Sequence, residues 1–428
     1  MLTRLRRSSR LALGAAAAVA TLTTVTLIPA AATPTTASPS SASAAGETQI
    51  VPPDDDPFYG VPPHLDRQRD GSVLRFRLLP AKVMAIPAPA RVWQLLYKTR
   101  DNSGKATATV GTLLVPTNRW KGTGERPLLS YQTPEDGLDT TCAPSYLLRA
   151  GSKTFDEASE GQAQFDRGQV ADAVRRGWTV MVPDYEGPRS QFVGAAGTAA
   201  AVLDGIRAVQ SFGPSRVHHK TPIGMWGYSG AGFATAVAAQ KQSKYAPELK
   251  ISAIVAGGVA ADVNATLANA SGKPFSGVIP FGLAALDRSY PDANVYQYLN
   301  ETGRAAAETV AHGCLGAAFT AGPHFATLQQ FEASPGSLTS GAFYELAHKG
   351  SPVGMGGTPT APVYMYHGTK DELLPISAAR DLYARYRARG ADVVMAEHEG
   401  QSHGGDQTFG VPEAVSFLKK HFEQTSRR

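Results

Sequence analysis

Apolar and polar positions along this chain fall into three regimes. The first is a charge-free apolar run over residues 11–28, behind Arg4, Arg6, Arg7 and Arg10. Threonines and prolines break it from Thr21 onward, and A-x-A sites follow at Ala30-Ala31-Ala32 and Ala42-Ser43-Ala44. That order predicts a secretory signal peptide over residues 1–32. A membrane anchor is the alternative, and the broken run disfavours stable insertion. Residues 33–45, rich in Ser, Thr, Pro and Ala, read as a disordered spacer. In the second regime, residues 73–79, 92–99 and 106–115 read as strands separated by turn signals, an antiparallel β start. After Pro127 the third regime begins, in which short apolar runs alternate with helical spacing. Strands are expected at 128–131, 179–182, 223–227, 251–256, 363–366 and 393–396. Helices are expected at 163–176, 199–212, 233–240, 378–389 and 411–422. Such alternation predicts an α/β fold, a mostly parallel central sheet flanked by helices on both faces.

One gap interrupts the rhythm. From Gly257 to Pro362 there are 106 residues, far more than a simple crossover needs. The segment carries helical patches at 259–269, 304–312 and 343–348, and nothing at either end looks like a linker. It reads as an inserted cap over about 258–362, within a domain spanning 46–428; an independent small domain is the alternative. Its apolar run from Val278 to Leu283 reads as cap core or as the lining of an acyl tunnel.

Charge changes the picture little. The net charge of +5 includes four arginines and no acids in residues 1–45, leaving 5 − 4 = +1 for the rest. No basic run interleaved with aromatics argues for nucleic acid. The two cysteines, Cys142 and Cys314, pair in an exported chain or remain buried free thiols.

Candidate chemistry centres on Gly227-Tyr228-Ser229-Gly230-Ala231, between an apolar run and an alanine-rich stretch. Strand, sharp turn bearing a serine, then helix is the context of a nucleophile elbow; a Gly-rich helix start capped by Ser229 is the bland alternative. A serine nucleophile needs a base, and the base an orienting acid. Downstream, Asp371 follows the strand ending at His367-Gly368, with Glu372 as its competitor and a helix-capping turn as its alternative role. His403 lies in a Gly-rich loop after the last strand; His398 reads as structural. No histidine has metal-ligand spacing, so neither metal nor cofactor is expected. The oxyanion needs two N–H donors. Gly230 is one; the other is expected from the loop 132–137, with Asp136 the donor unless its carboxylate orients instead.

These residues resemble the secretory lipases typified by fungal lipase A proteins, with actinobacterial relatives. The resemblance runs through Asp56-Pro57-Phe58-Tyr59, Cys142-Ala143-Pro144-Ser145-Tyr146 and Val182-Pro183-Asp184-Tyr185-Glu186-Gly187-Pro188. It continues through Leu203-Asp204-Gly205-Ile206-Arg207-Ala208, the elbow, His367-Gly368-Thr369-Lys370-Asp371 and Ser402-His403-Gly404. It implies an α/β-hydrolase fold with an inserted cap or lid, a triad of Ser229, Asp371 and His403, an oxyanion aspartate at Asp136, and a disulfide at Cys142, which supports pairing with Cys314. The chain departs from the family at the elbow, where Ala231-Gly232 replaces Gly-Ala; the Ala231 methyl is expected to tighten the turn.

The expected function is a secreted serine ester hydrolase, first a triacylglycerol lipase, then a short-chain carboxylesterase. An acyltransferase or peptidase would keep the triad and change the acceptor or bond; a non-catalytic binding protein would keep only the scaffold. The expected partners are a lipid or small ester substrate and a lipid–water interface, and no nucleic acid. Nothing in the sequence fixes the oligomeric state.

Overall fold

The computed structural model describes residues 50–80, 89–150 and 157–427. The signal peptide and spacer expected at 1–45 lie outside the described residues. The strands are β1 (Val73–Leu79), β2 (Ala90–Arg100), β3 (Ala106–Pro116), β4 (Leu128–Gln132), β5 (Thr179–Pro183), β6 (Ile223–Tyr228), β7 (Ile251–Gly257), β8 (Val363–Gly368) and β9 (Val393–His398). They form one nine-stranded sheet in the order β1-β2-β3-β5-β4-β6-β7-β8-β9. The first three strands pair antiparallel, β3 meets β5 antiparallel, and β5 to β9 run parallel to one another and to β4. The inner strands β4, β5 and β6 are buried along their whole length, which explains their largely apolar sequence.

Two apolar layers sandwich the sheet. On one face lie α1 (Pro144–Ala150) and α2 (Glu157–Arg175); on the other lie α3 (Ala195–Ser211) and α4 (Gly230–Tyr245). After β7 come α5 (Val263–Ala270), α6 (Val278–Ser289), α7 (Glu301–Val310), α8 (Leu315–Thr320), α9 (Gly341–Gly350) and α10 (Pro352–Met355). The chain then returns to the sheet and closes with α11 (Ile376–Ala388), α12 (His403–Phe409) and α13 (Val411–Ser426). One core joins Leu203 and Ile206 of α3, Ala234 and Ala238 of α4 and Leu382 of α11 to the sheet. The opposite core joins Val170 and Val174 of α2 to Leu418 and Phe422 of α13 across Trp226, Tyr228 and Tyr366.

Between β7 and β8 the segment α5 to α10 has its own core, including Ile279, Phe281, Leu283, Phe331 and Phe343. That core also takes in Phe233 and Val237 of α4 and Leu138 beyond β4, so the insertion packs onto the sheet domain rather than standing apart. Asp262 and Asn300 cap α5 and α7 with their side chains. The helix α6 was not among the expected patches, since Pro280 and Gly282 interrupt its spacing. Its proline falls in the first turn, where no intrahelical N–H bond is lost. Among the described residues no helix is long and apolar enough to cross a membrane.

A Cys142–Cys314 disulfide links the start of the β4–α2 region to the insertion, across 172 residues. In the chain-entropy account, closing so long a loop contributes up to about 5 kcal/mol. The Cys142→Ala/Cys314→Ala double variant should unfold at lower urea concentration, with its stability reduced by several kcal/mol. An unchanged urea midpoint would show that packing alone holds the insertion in place.

Candidate active site

The C-terminal ends of parallel strands converge where ligands bind in open α/β sheets. Ser229 follows β6, Asp371 follows β8 and His403 follows β9. The turn at Ser229 has φ 60° and ψ −127°, a conformation that few residues with a side chain adopt. Neighbouring glycines make it sterically possible. A Cβ on Gly227 would lie 2.2 Å from the Ala231 carbonyl oxygen, and one on Gly232 would lie 2.6 Å from the Gly257 oxygen. Ala231 is fully buried in the core that α3 and α4 share with the sheet. The swapped pair thus leaves glycine at 232, where a side chain has no room.

Ser229 Oγ lies 2.9 Å from His403 Nε2, and His403 Nδ1 lies 2.7 Å from Asp371 Oδ2. Asp371 Oδ1 accepts the N–H groups of Leu373 and Leu374. The carboxylate therefore makes its own turn and holds a histidine at once. Burial alone would raise its pKa, but the bonds from His367 and His403 hold it well below the usual carboxylate range. Ionised, it accepts a hydrogen bond from Nδ1–H and holds that tautomer, leaving Nε2 bare to accept from the Ser229 hydroxyl. Burial pushes the His403 pKa down, and the Asp371 bond and charge, with Glu372 and Asp136, more than offset it, so the net shift is upward. Glu372, the competing acid, instead accepts the His403 backbone N–H at 3.0 Å. Tyr228, next to the serine, donates to the His403 carbonyl at 2.7 Å.

His367 is a participant that the sequence showed only as the end of a strand. Fully buried, it donates from Nε2 to the Leu374 carbonyl at 3.0 Å and lies 3.2 Å from Asp371 Oδ2. A carbonyl can only accept, so this fixes the proton on Nε2. The other ring nitrogen is buried without a partner. His398, read as structural, pairs with Asp406 and Glu413 and braces α12 behind His403.

Gln132, the last residue of β4, pairs with Gly227, so the following loop runs beside Ser229. Asp136 in that loop has φ 38°. Its carboxyl packs on the elbow: a Cβ on Gly230 would lie 1.8 Å from Asp136 Oδ1. That oxygen is buried without a partner. Burial raises the Asp136 pKa to about 7, against a smaller opposing pull from His403. Gly230, the first residue of α4, has an N–H with no intrahelical acceptor.

The two most distinctive sequence stretches hold this loop. Asp184 accepts the N–H and hydroxyl of Ser145 at 2.8 and 2.5 Å. The Tyr185 hydroxyl accepts the Glu135 N–H at 2.9 Å, and Glu186 accepts the Gly137 N–H at 3.2 Å. Glu135 in turn accepts the Glu186 N–H at 3.1 Å. On the other side the loop meets the insertion: Leu138 N–H donates to Gly313 O, Leu315 N–H donates to Asp136 O, both at 2.9 Å, and the disulfide lies between.

Above Ser229 opens a narrow cavity of about 80 Å³. Val278, Phe281 and Gly282 of α6 line it with Phe275, Phe319 and Leu374, and Asp136, Ser229 and Gly230 form its floor. The run from Val278 to Leu283 thus serves as both core and lining, because alternate sides of one helix face the two environments.

Comparison with known proteins agrees with this architecture. The family model described as secretory lipase matches residues 154–427. Lipase 10 of Candida albicans is 33% identical over 388 residues, covering 87% of this chain and 82% of that protein. The trichothecene C-3 esterase of Fusarium sporotrichioides is 31% identical over 396 residues, covering 88% and 86%. The closed-state structure of Candida antarctica lipase A superimposes with a TM-score of 0.79 at 25% identity, covering 88% of each chain. On its sequence, its sheet and its cap, this chain belongs to the secretory lipase family.

Proposed function

We propose that this chain is a carboxylic-ester hydrolase working through an acyl-enzyme on Ser229, His403 and Asp371. The observation that carries the reading is the continuous chain of hydrogen bonds from Ser229 Oγ through His403 to Asp371, at the floor of an apolar cavity. His403 takes the Ser229 proton as Oγ attacks the ester carbonyl, and Asp371 stabilises the imidazolium that forms. His403 then protonates the leaving alcohol. Water enters, gives its proton to His403 and releases the acid by the same route. The N–H of Gly230 is one donor to the oxyanion. The second is the Asp136 carboxyl in its protonated form, whose buried Oδ1 lies against Gly230 and has no other partner.

The acyl group enters the apolar cavity, which favours an ester with a hydrophobic acid part, and a lipid–water interface is the proposed source of such esters. The mature enzyme begins after Ala32 or Ala44, released by cleavage of the signal peptide.

Ser229→Ala should lower hydrolysis of p-nitrophenyl esters by at least about 10⁴-fold. Activity equal to that of the unaltered chain would remove Ser229 from the mechanism. Graded acyl chains and emulsified triacylglycerol, assayed side by side, separate a lipase from a short-chain esterase.

The pH profile tests the oxyanion reading. His403 must be neutral to act as base, so kcat/KM rises as pH passes upward through its pKa. Asp136 must be protonated to donate, and ionises as pH passes upward through about 7. The activity should therefore fall on the alkaline side. Asp136→Asn keeps a donor that does not titrate, and should abolish that alkaline fall. Asp136→Ala should lower kcat by about 10²-fold. A persistent alkaline fall in the Asn variant would assign the titration elsewhere.

His367 positions Asp371 and shares its charge. His367→Leu should lower kcat about tenfold with KM unchanged. It should also move the acid limb to higher pH, since an Asp371 with one donor fewer binds the imidazolium more strongly. His367→Gln, which keeps a donor at the same reach, should recover most of both effects. An unmoved acid limb in the Leu variant would reduce His367 to a packing role.

A further inference from the structure

At the end of the sheet opposite Ser229, a cleft of about 410 Å³ opens where the β3–β4 loop meets the ends of α2 and α13. Five cations line it: Arg119 and Lys121 of the loop, Arg175 and Arg176 at the end of α2, and Lys419 of α13. Glu125 and Glu423 are the carboxylates that line it with them. Asp172 holds Arg176 at 2.7 Å, Glu423 stands 4.0 Å from Lys419, and Glu125 lies 3.4 Å from His218 Nε2. Arg119, Lys121 and Arg175 have no ion-pair partner among the described residues. The chain beyond residue 45 is nearly neutral, so this is a local excess of positive charge. Its members stand far apart in sequence, and only the fold gathers them.

The loop that carries Arg119 and Lys121 is fixed in place. Trp120 Nε1 donates to Gly124 O at 3.2 Å, and a Cβ on Gly122 would lie 2.1 Å from the Trp120 ring. A Cβ on Gly124 would lie 2.4 Å from the Ser426 side chain, so the loop is seated on α13. Arg126 ties its base to the Pro116 and Asn118 carbonyls. Burial lowers the Arg126 pKa and the charge of Arg216 lowers it further, so positive charge continues behind the cleft. The N–H groups of Lys121, Gly122, Thr123 and Gly124 donate to no acceptor among the described residues. Unpaired cations on a fixed frame repel one another and add nothing to folding; the same frame lowers the entropic cost of holding an anion.

We propose that this cleft binds the sulfate or phosphate groups of an anionic polysaccharide, tethering the enzyme by the end of the sheet away from its active site. Guanidinium groups grip such oxyanions with two N–H bonds at once, and open loop amides add further donors. Trp120, half-buried in the cleft wall, offers a sugar ring an apolar face. None of the exposed large hydrophobic side chains among the described residues lies in the cleft, so a bilayer finds nothing there to take up. A single pinned ring also gives successive bases no stacking platform. A secretory enzyme meets anionic polysaccharides on cell surfaces. The cleft shares no residue with the cavity above Ser229, so tethering and hydrolysis can be measured apart.

Arg119, Lys121 and Arg175 are exposed, so changing all three to Gln should leave hydrolysis of a soluble p-nitrophenyl ester within about twofold. Binding is read by isothermal titration with dextran sulfate, and uncharged dextran serves as the blank. The triple variant should bind dextran sulfate at least about tenfold more weakly at low salt, with the slope of log affinity against log salt shallower by about two. Lys105→Gln, Lys244→Gln and Lys349→Gln together remove the same charge outside the cleft and should change little. Inorganic phosphate should bind far more weakly than the polymer, since one ion cannot engage the cations in series. No binding of dextran sulfate by the unaltered chain, undiminished binding by the cleft variant, or equal loss in both triple variants would overturn the site. Phosphate binding as tight as that of the polymer would overturn the polysaccharide as its occupant. Tighter binding to phosphatidylglycerol vesicles or single-stranded DNA than to dextran sulfate at equal charge would do the same.

Discussion

Everything at the site depends on the close approach of backbones around Ser229. The serine can stand proud of the sheet only if β6 turns into α4 within one residue, and that turn leaves no volume at positions 227, 230 and 232. The missing side chains have separate consequences. Position 227 lets the strand meet the Ala231 carbonyl, and position 232 lets α4 lie on the end of β7. Position 230 admits the Asp136 carboxyl to a place a methyl would fill. The turn therefore does more than present a nucleophile. It fixes, by exclusion of atoms, where the acid of the neighbouring loop must sit.

That loop is held from both sides, and the two sides belong to different parts of the fold. The sheet domain grips it through Tyr185 and Glu186, in a reciprocal pattern of carboxylates and amides with Glu135. The insertion grips it through the strand-like pairing of Gly137 with Cys314 and through the disulfide. A displacement of the insertion would thus be felt at Asp136 as well as at the cavity wall formed by α6. The cavity wall and the Asp136 carboxyl share one mechanical support.

The succession of strands along the chain, the long interruption after β7 and the three residues bonded in series were legible in the sequence because each leaves a local mark. Buried parallel strands are continuously apolar, the elbow needs small residues, and Asp371 and His403 each follow a strand. What stayed illegible depends on contacts between distant segments. The helix α6 was hidden by Pro280 and Gly282, whose cost vanishes at a helix start. That positions 227, 230 and 232 face walls was also hidden, because only the three-dimensional path of the turn tells which Cα does. The motif around Asp184, Tyr185 and Glu186 was conspicuous as a string of residues, yet its work, steadying a loop some fifty positions earlier, has no periodic signature. His367 looked like the end of a strand because a single histidine carries no mark of what lies 3.2 Å away.

The site also shows how position alone sorts chemically equal carboxyls into opposite states. The side chains of Asp136 and Asp371 are both buried, and burial by itself would favour the neutral form of either. Asp371 meets two imidazoles and two backbone amides, all donors, so it stays ionised. Asp136 has an oxygen with no partner, and its proton is retained to about pH 7. Glu135 and Glu186 are pushed upward as well, both chiefly by desolvation, Glu135 also by the charge of Glu186 and Glu186 by that of Asp136. The charge of the loop is thereby kept low beside Ser229 and Gly230, while full charge is kept on the far side of His403. An oxyanion and a carboxylate could not share one small cavity at comparable distance; separating them by an imidazole lets each be stabilised by groups that would disfavour the other.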